Sequence, residues 1–247
     1  MDARGVRRFG LAPFQDWQAV HWKELGGLLA IVAGVALLWD TWLVWPLKIL
    51  VVFFHEMSHG LAAIATGGRI QEIGIVAEEG GYCVTQGGSR FITLSAGYLG
   101  SLAVGGAILV LSARTRVDRA IAGVLGGILV LLSLVWVRPF AGFGFIFGVA
   151  TGAALIAAGI WLPAAACDFV LKLIGLTSAL YAVLDIKSDI LDRPGERSDA
   201  YMLAEEIGLP TLFWGLLWIA IALAGAVYFL YLACRVRKPA LARPARR

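Results

Sequence analysis

The chain is dominated by uncharged apolar runs that are each long enough to cross a lipid bilayer. The clearest of them cover residues 91–113, 120–137, 139–167 and 207–234. A helix needs about 20 apolar residues to cross a hydrocarbon layer roughly 30 Å thick. Since 60% of the 247 residues are hydrophobic and the mean hydropathy is +0.81, the composition lies outside the range of soluble domains. The sequence therefore predicts an integral membrane protein.

Three further apolar segments are long enough to span a membrane but contain ionisable residues. They are residues 25–46 with Asp40, residues 49–68 with a His-Glu-His cluster, and residues 164–185 with Asp168, Lys172 and Asp185. In lipid, backbone N–H and C=O groups find no water to bind, so spanning segments of this kind must be helical. We therefore predict an all-α polytopic membrane protein with about seven transmembrane helices, folded as a single domain over residues 1–247.

A polar stretch that follows the second of these segments, residues 67–90, has the pattern of a β-hairpin. Apolar and polar residues alternate from Ile70 to Ile75 and again from Tyr82, on either side of a turn at residues 79–81. Alternation of this kind around a glycine-containing turn is typical of two antiparallel strands. We expect a short hairpin whose strand edge lies next to the His-Glu-His helix.

The two ends of the chain are polar and basic. Residues 1–24 are predicted to form an amphipathic lead-in at the membrane interface, and residues 235–247 form a basic tail. Basic residues beside a span bind anionic lipid headgroups, so the net charge of +4 indicates contact with the lipid bilayer and not with nucleic acid. With seven spans the basic residues divide evenly between the two faces, so charge does not fix the orientation.

The most informative short motif is HEMSH at residues 55–59, inside an apolar run. On a helix, positions i and i+4 share one face, so His55 and His59 can present two imidazole nitrogens to one ion. Glu56 is too close to the first histidine to be an easy ligand, but it can reach a water molecule beside the metal. This is the H-E-x-x-H arrangement, in which zinc makes water more acidic and the glutamate takes its proton. The motif predicts Zn²⁺ as cofactor, one ion per chain.

A catalytic zinc needs a third protein ligand. The one remaining histidine, His21, lies in the polar lead-in, where a solvated position is the simpler interpretation. The three cysteines are far apart and form no zinc-binding pattern. The third ligand is therefore expected to be a carboxylate from a distant segment, and the candidates within or beside the spans are Asp40, Asp168, Asp185 and Asp189.

The neighbouring residues indicate which of these four carboxylates are suited to be the third ligand. Asp168 has Lys172 at i+4, so an ion pair explains it without a metal. Asp40 lies among tryptophans at the end of its span, which is typical of the membrane interface. Asp185 and Asp189 lie one turn apart on the same helix face at the end of an apolar segment, and either can turn towards the histidines.

The motif in its setting resembles the site-2 protease family of intramembrane zinc metalloproteases. The resemblance rests on FHEMSHGLAAIATGGRI at residues 54–70 within a membrane helix, followed by a hairpin and later by an Asp-bearing span. In that family two motif histidines and a distant aspartate hold zinc, within the membrane and towards the cytoplasmic side. The resemblance implies that His55 and His59 are ligands, that Glu56 is the catalytic base, and that Asp185 is the third ligand, with Asp189 as second choice.

The region around that aspartate departs from the usual family pattern. Most members carry Asn-x-x-Pro and then Leu-Asp-Gly, whereas this chain keeps only the Leu-Asp pair. One branch of the family carries Ser-x-x-Tyr-x-x-x-Asp-x-x-x-Asp and a later Ser-Asp-Ala, which matches residues 178–189 and 198–200. The asparagine that would hold the substrate backbone has no counterpart, and Ser178 or Thr177 is expected to take part of its role.

The sequence therefore predicts a protease that hydrolyses a peptide bond in or near a transmembrane segment of a membrane-protein substrate. We expect a multi-pass protein of a bacterial-type cell membrane. Two other functions fit parts of the pattern. One is an inactive membrane scaffold or regulator that keeps the fold and the metal, and the missing Asn and Pro favour it. The other is a metal transporter, which usually needs polar sites across several helices, whereas here they collect at one depth.

Overall fold

The computed structural model describes residues 20–193 and 195–235. Most of the predicted lead-in, apart from residues 20–24, and nearly all of the basic tail, residues 236–247, lie outside the described residues. The described part contains eight α-helices and one two-stranded sheet. The helices are α1 (Trp22–Leu37), α2 (Trp45–Ala65), α3 (Arg90–Arg114), α4 (Asp118–Trp136), α5 (Phe143–Trp161), α6 (Ala164–Lys187), α7 (Asp199–Ile207) and α8 (Thr211–Cys234), and the strands are β1 (Arg69–Ile75) and β2 (Gly81–Gln86).

Six of the seven predicted spans are helices long and apolar enough to cross a membrane, counted over the residues that the structure describes. They are α2, α3, α4, α5, α6 with the π-helical turn Ser188–Asp192 that continues it, and α8. The first predicted span corresponds to α1, which has only 16 residues. At 1.5 Å per residue such a helix is about 24 Å long, short of a roughly 30 Å hydrocarbon layer. The chain is a helical multi-pass membrane protein with a small hairpin, as the sequence predicts.

Helix α2, which carries the HEMSH motif, lies at the centre of the molecule. Its most apolar window is 78% buried, against 17–22% for α4, α5 and α8. Pro46 near its first turn suits a helix start, because the missing N–H has no partner there in any case. Helix α3 packs against α2, α6 and α8. The surrounding helices therefore shield α2 from lipid and leave its polar side chains inside the protein.

The hairpin follows α2 directly and packs back onto it. Ile70 and Ile73 of β1 are buried against the helix, and Gly60 allows this close approach, since a Cβ there would lie 2.4 Å from Ile70 Cδ1. The outer edge of β1 is covered: the N–H of Arg138 donates to the carbonyl of Ile73 at 2.9 Å. The strand edge predicted beside the His-Glu-His helix is therefore that of β2.

A polar segment returns from the end of α6 to the centre of the molecule. The π-helical turn ends at Asp192, and α7 starts after Ser198, whose hydroxyl accepts a hydrogen bond from the N–H of Tyr201 at 3.3 Å. A serine at this position is a favourable N-cap. Helix α7 packs against α3 and α8 with Leu203 fully buried. This packing holds the first residue of α7, Asp199, next to α2.

Candidate metal centre

The two motif histidines form a compact pair on one face of α2. Their ring centroids lie 4.7 Å apart in an edge-to-face arrangement. The side chains are only 13% exposed for His55 and 8% for His59. As the i, i+4 spacing predicts, both Nε2 atoms point to the same place. A buried pair of imidazoles needs a partner, and the structure provides one from α7.

That partner is the carboxylate of Asp199. Its Oδ2 atom lies 3.1 Å from His55 Nε2 and 3.1 Å from His59 Nε2. Among the described residues, these three side chains form the one cluster of His, Cys, Asp or Glu whose ligand atoms lie close enough together to hold a metal. Ligand atoms around a tetrahedral zinc, at about 2.0–2.1 Å from the ion, are separated by about 3.3 Å. The observed separations are close to this value, so the three residues fit a zinc ion.

A hydrogen bond to His59 and the ionised state of Asp199 both favour the binding of a cation. His59 Nδ1 lies 2.7 Å from the carbonyl of Thr93, which can only accept, so Nδ1 carries the proton and Nε2 is left free to bind metal. Burial alone would raise the pKa of Asp199, but the charge of protonated His59 and His55 holds it well below its usual range, and a cation bound at their Nε2 atoms would act on Asp199 in the same way. Its position in the first turn of α7 also favours the ionised form.

His55 is held in place by an aromatic neighbour from α3. The Tyr98 ring lies edge-to-face with the His55 ring, with centroids 4.8 Å apart. The Tyr98 hydroxyl donates to Asp189, and Asp189 also pairs with Arg193 at 2.7 Å. This chain of contacts fixes the tyrosine, and the tyrosine in turn limits the rotation of the His55 ring.

Glu56 lies beside the histidines on the wall of a cavity of about 960 Å³. It is 6% exposed, and its carboxylate packs against the backbone of Gly81, where a Cβ would lie 2.7 Å from Oε1. Within the described part of the chain it accepts no hydrogen bond, so its oxygens remain available to a water molecule or a substrate. A carboxylate in this setting can act as a base beside a bound cation.

Gly97 of α3 provides the space that the histidine pair occupies. A Cβ at this position would lie 2.4 Å from His55 Nε2 and 2.6 Å from His59 Cε1. We predict that Gly97→Ala displaces both rings and weakens zinc binding by about 10-fold or more, as outer-shell changes at metal sites do. Zinc titration of the purified variant measures this. Gly127→Ala on α4, where a Cβ meets no atom within 4 Å, is the matched control and should bind zinc like the wild type. Equal affinity in the two variants would refute the packing argument.

The structure places the sequence-predicted third ligands elsewhere on the cavity wall. Asp185 lines the cavity but belongs to no group close enough to hold a metal with the histidines. The Asp189 carboxylate accepts a hydrogen bond from Tyr98 and forms an ion pair with Arg193. Beside the two histidines, where Asp185 was expected, the structure has Asp199, because the chain beyond α6 folds back and packs α7 against α3 and α8.

The other candidate residues are separated from the cavity. The Ser178 hydroxyl donates to the carbonyl of Ser101 at 2.7 Å, and Thr177 is likewise fully buried in α6. Neither is among the described residues that line the cavity. Asp168 pairs with Lys172 at 3.0 Å, as its i+4 spacing predicts. Asp40 is exposed in the turn before α2 and His21 is exposed at the start of α1.

Cys83 of β2 lines the same cavity but is not part of the cluster of possible metal ligands. Burial and the nearby Glu56 raise the pKa of its thiol to about 12. Without a metal beside it, this thiol is therefore protonated at neutral pH. The donor set of two imidazoles and one carboxylate is consistent with a catalytic zinc site, in which the fourth position is open to water or substrate.

The signal that could have identified Asp199 was present in the sequence. Residues 198–200 read Ser-Asp-Ala, which is an N-cap followed by an acidic first-turn residue, and the resemblance to the family branch includes this tripeptide. Asp199 lies in a polar segment away from the predicted spans, so it is not among the carboxylates expected within or beside them.

A protein-family model described as Peptidase M50B-like matches residues 28–229. No curated protein and no solved structure matches the chain significantly.

Proposed function

The chain belongs to the Peptidase M50B-like family, and from this premise we propose that it is an active intramembrane zinc metalloprotease. Its reaction is the hydrolysis of a peptide bond in or near a transmembrane segment of a membrane-protein substrate. The observation that carries the proposal is the convergence of His55, His59 and Asp199 beside Glu56 on one cavity enclosed by membrane helices. A cluster that only stabilised the fold would not need a carboxylate without a hydrogen bond beside three residues already placed to bind a metal.

His55, His59 and Asp199 would hold one Zn²⁺ per chain. Asp199 takes the place that the resemblance gave to Asp185. When bound, the ion supplies a Lewis acid that polarises a carbonyl and makes water more acidic. Glu56 accepts a proton from the attacking water at its carboxylate and returns it to the nitrogen of the leaving amine. His59 is kept in the correct tautomer by the Thr93 carbonyl throughout the reaction.

The edge of β2 is suited to hold a substrate in extended form. A helical substrate hides its carbonyls in its own hydrogen bonds and must unwind before attack. The cavity is lined by residues of β2 and its flanks and not by β1: Gly81, Tyr82, Cys83, Thr85, Gly87 and Gly88. Because β1 is covered on its outer side, an unwound segment would add to β2, with its backbone beside Glu56. Ser178 and Thr177 are not needed for this mode of binding.

The membrane setting follows in part from the described helices. Six of them are long and apolar enough to span a bilayer, which agrees with a multi-pass membrane protease. The family resemblance supports a bacterial-type cell membrane with the active site towards the cytoplasmic side. The substrate would therefore be a membrane protein whose scissile region reaches that side of the bilayer.

The proposal is tested by reconstituting the purified protein with a panel of single-span substrates. We predict cleavage products with new termini at or near the span, detected by mass spectrometry. Removal of the metal with a chelator should abolish cleavage, and one equivalent of Zn²⁺ per chain should restore it. The same substrates in empty liposomes are the control.

Two results would point to another function. Zinc bound at one per chain, without cleavage of any substrate, would indicate an inactive scaffold or regulator that retains the fold. Metal flux into proteoliposomes that is lost in His55→Ala would indicate a transporter. Either result would overturn the protease proposal.

A further inference from the structure

Lys48 is a buried charged residue in α2 that the metal centre does not use. It lies two helical turns before His55, and its side chain is only 7% exposed. A buried ammonium is costly unless it is paired. Its partner is Glu79, whose Oε1 atom lies 2.7 Å from Lys48 Nζ, and the ring of Trp39 lies 5.2 Å from the same nitrogen. The Lys48 ammonium is therefore stabilised inside the protein by its ion pair with the hairpin.

Glu79 belongs to the hairpin turn, residues 76–80, which connects β1 to β2. It is the one described non-glycine residue with a left-handed backbone, at φ 63°. The turn is closed by the N–H of Val76, which donates to the carbonyl of Gly80 at 2.9 Å. Two other side chains bind the turn from outside. Trp45 Nε1 donates to the carbonyl of Ala77 at 2.9 Å, and the Tyr181 hydroxyl donates to the carbonyl of Glu79 at 3.4 Å.

The position of the turn decides where β2 begins. Gly81 follows the turn directly, and its backbone packs against the Glu56 carboxylate, with only 2.7 Å between a Cβ built at Gly81 and Oε1. Gly80 and Glu79 line the same cavity. A shift of the turn would move this wall away from Glu56 and would also move the start of the exposed β2 edge.

We propose that Lys48 is a positioning residue for the reaction. Its ion pair with Glu79 fixes the hairpin turn, and the turn fixes Gly81 against Glu56 and sets the start of the β2 edge that receives substrate. The catalytic part of this inference rests on the proposed protease function, whereas the fixing of the turn does not. Lys48 is about two turns from His55 and about three turns from His59 along α2, so its removal leaves the metal ligands in place.

The test compares Lys48→Met with the wild-type protein in lipid nanodiscs. Hydrogen exchange of the hairpin amides, residues 76–83, should become about 10-fold faster, because the turn opens more often. Zinc content should stay at one per chain. With a cleaved substrate, kcat should fall by about 10-fold or more with a smaller change in KM, as misplacement of a catalytic group predicts. Lys172→Met, which breaks the ion pairs with Asp168 on α6 and Glu24 on α1 away from the cavity, is the matched control and should change neither hairpin exchange nor kcat.

A second variant keeps the test decisive if Lys48→Met fails to fold. Glu79→Gln removes the partner at a more exposed position and should give the same pattern, and the double variant should be no worse than either single one. Unchanged hairpin exchange in Glu79→Gln would overturn the proposal, as would faster exchange without an effect on kcat. If the wild type cleaves nothing, the protease proposal fails, while the exchange data still decide whether Lys48 fixes the turn.

Discussion

Glu56→Gln is expected to lower the rate of peptide-bond cleavage by roughly 10²–10⁴-fold, the range typical of a lost general base. The amide keeps the size of the carboxylate, so the packing against Gly81 is retained. It cannot accept the proton of the attacking water. Glu56 is not one of the three clustered ligands, so zinc should still bind at one per chain.

The measurement is single-turnover cleavage of a reconstituted single-span substrate, with zinc quantified in the same samples. Glu72→Gln is a suitable control, because this glutamate lies on β1, away from the described cavity wall. It should cleave at the wild-type rate. Turnover in Glu56→Gln within a few-fold of wild type would remove Glu56 as the base, and loss of zinc would show that it is a ligand.

Asp199→Ala is expected to lower cleavage by a comparably large factor, but through the loss of zinc and not of the base. Removal of the carboxylate leaves two imidazoles, whose Nε2 atoms both lie 3.1 Å from the lost oxygen. Loss of a ligand should weaken zinc binding by more than the roughly 10–100-fold caused by outer-shell changes. Cleavage should be lost with the zinc. Because a ligand that binds the folded state stabilises it, the variant should also lose the thermal stabilisation that added zinc gives the wild type.

Zinc affinity and the melting temperature with and without zinc measure this effect. Asp185→Ala and Asp189→Ala are the informative comparisons, because each removes a carboxylate from the cavity wall without removing a clustered ligand. Asp185→Ala should bind zinc with an affinity close to that of the wild type. Asp189→Ala removes the acceptor of the Tyr98 hydroxyl beside His55, so it should weaken zinc binding by no more than the roughly 10–100-fold of an outer-shell change. Zinc binding that survives in Asp199→Ala but not in Asp185→Ala would restore the ligand set implied by the family resemblance.

The features predicted well from the sequence are those that depend on neighbouring residues. Apolar runs determine helices because lipid offers the backbone no other partner. The i, i+4 spacing of His55 and His59 fixes their common face, and alternation around residues 79–81 predicts the hairpin. The structure agrees with each of these expectations. Helix α1 ends earlier than its apolar run because the chain turns between residues 38 and 44 before α2.

The features missed depend on the path of the chain in space. Asp199 lies in a polar segment, so its sequence context favours solvent exposure, yet capping by Ser198 and burial of Leu203 bring it against α2. Lys48 gives no signal for the opposite reason, since it lies directly before the predicted span of residues 49–68, where a lysine is typical of the membrane interface. Only the fold shows that Glu79 meets it. Tertiary contacts between distant polar residues leave no periodic signal in a single sequence.

We propose above all that His55, His59 and Asp199 together hold a zinc ion. Crystals of the wild-type protein grown with Zn²⁺ and measured on both sides of the zinc absorption edge would test it most directly. We predict one anomalous peak per chain, at about 2.0–2.2 Å from His55 Nε2, His59 Nε2 and an oxygen of Asp199. A peak bounded by Asp185 or Asp189 in place of Asp199, or no peak between the two histidines, would contradict it.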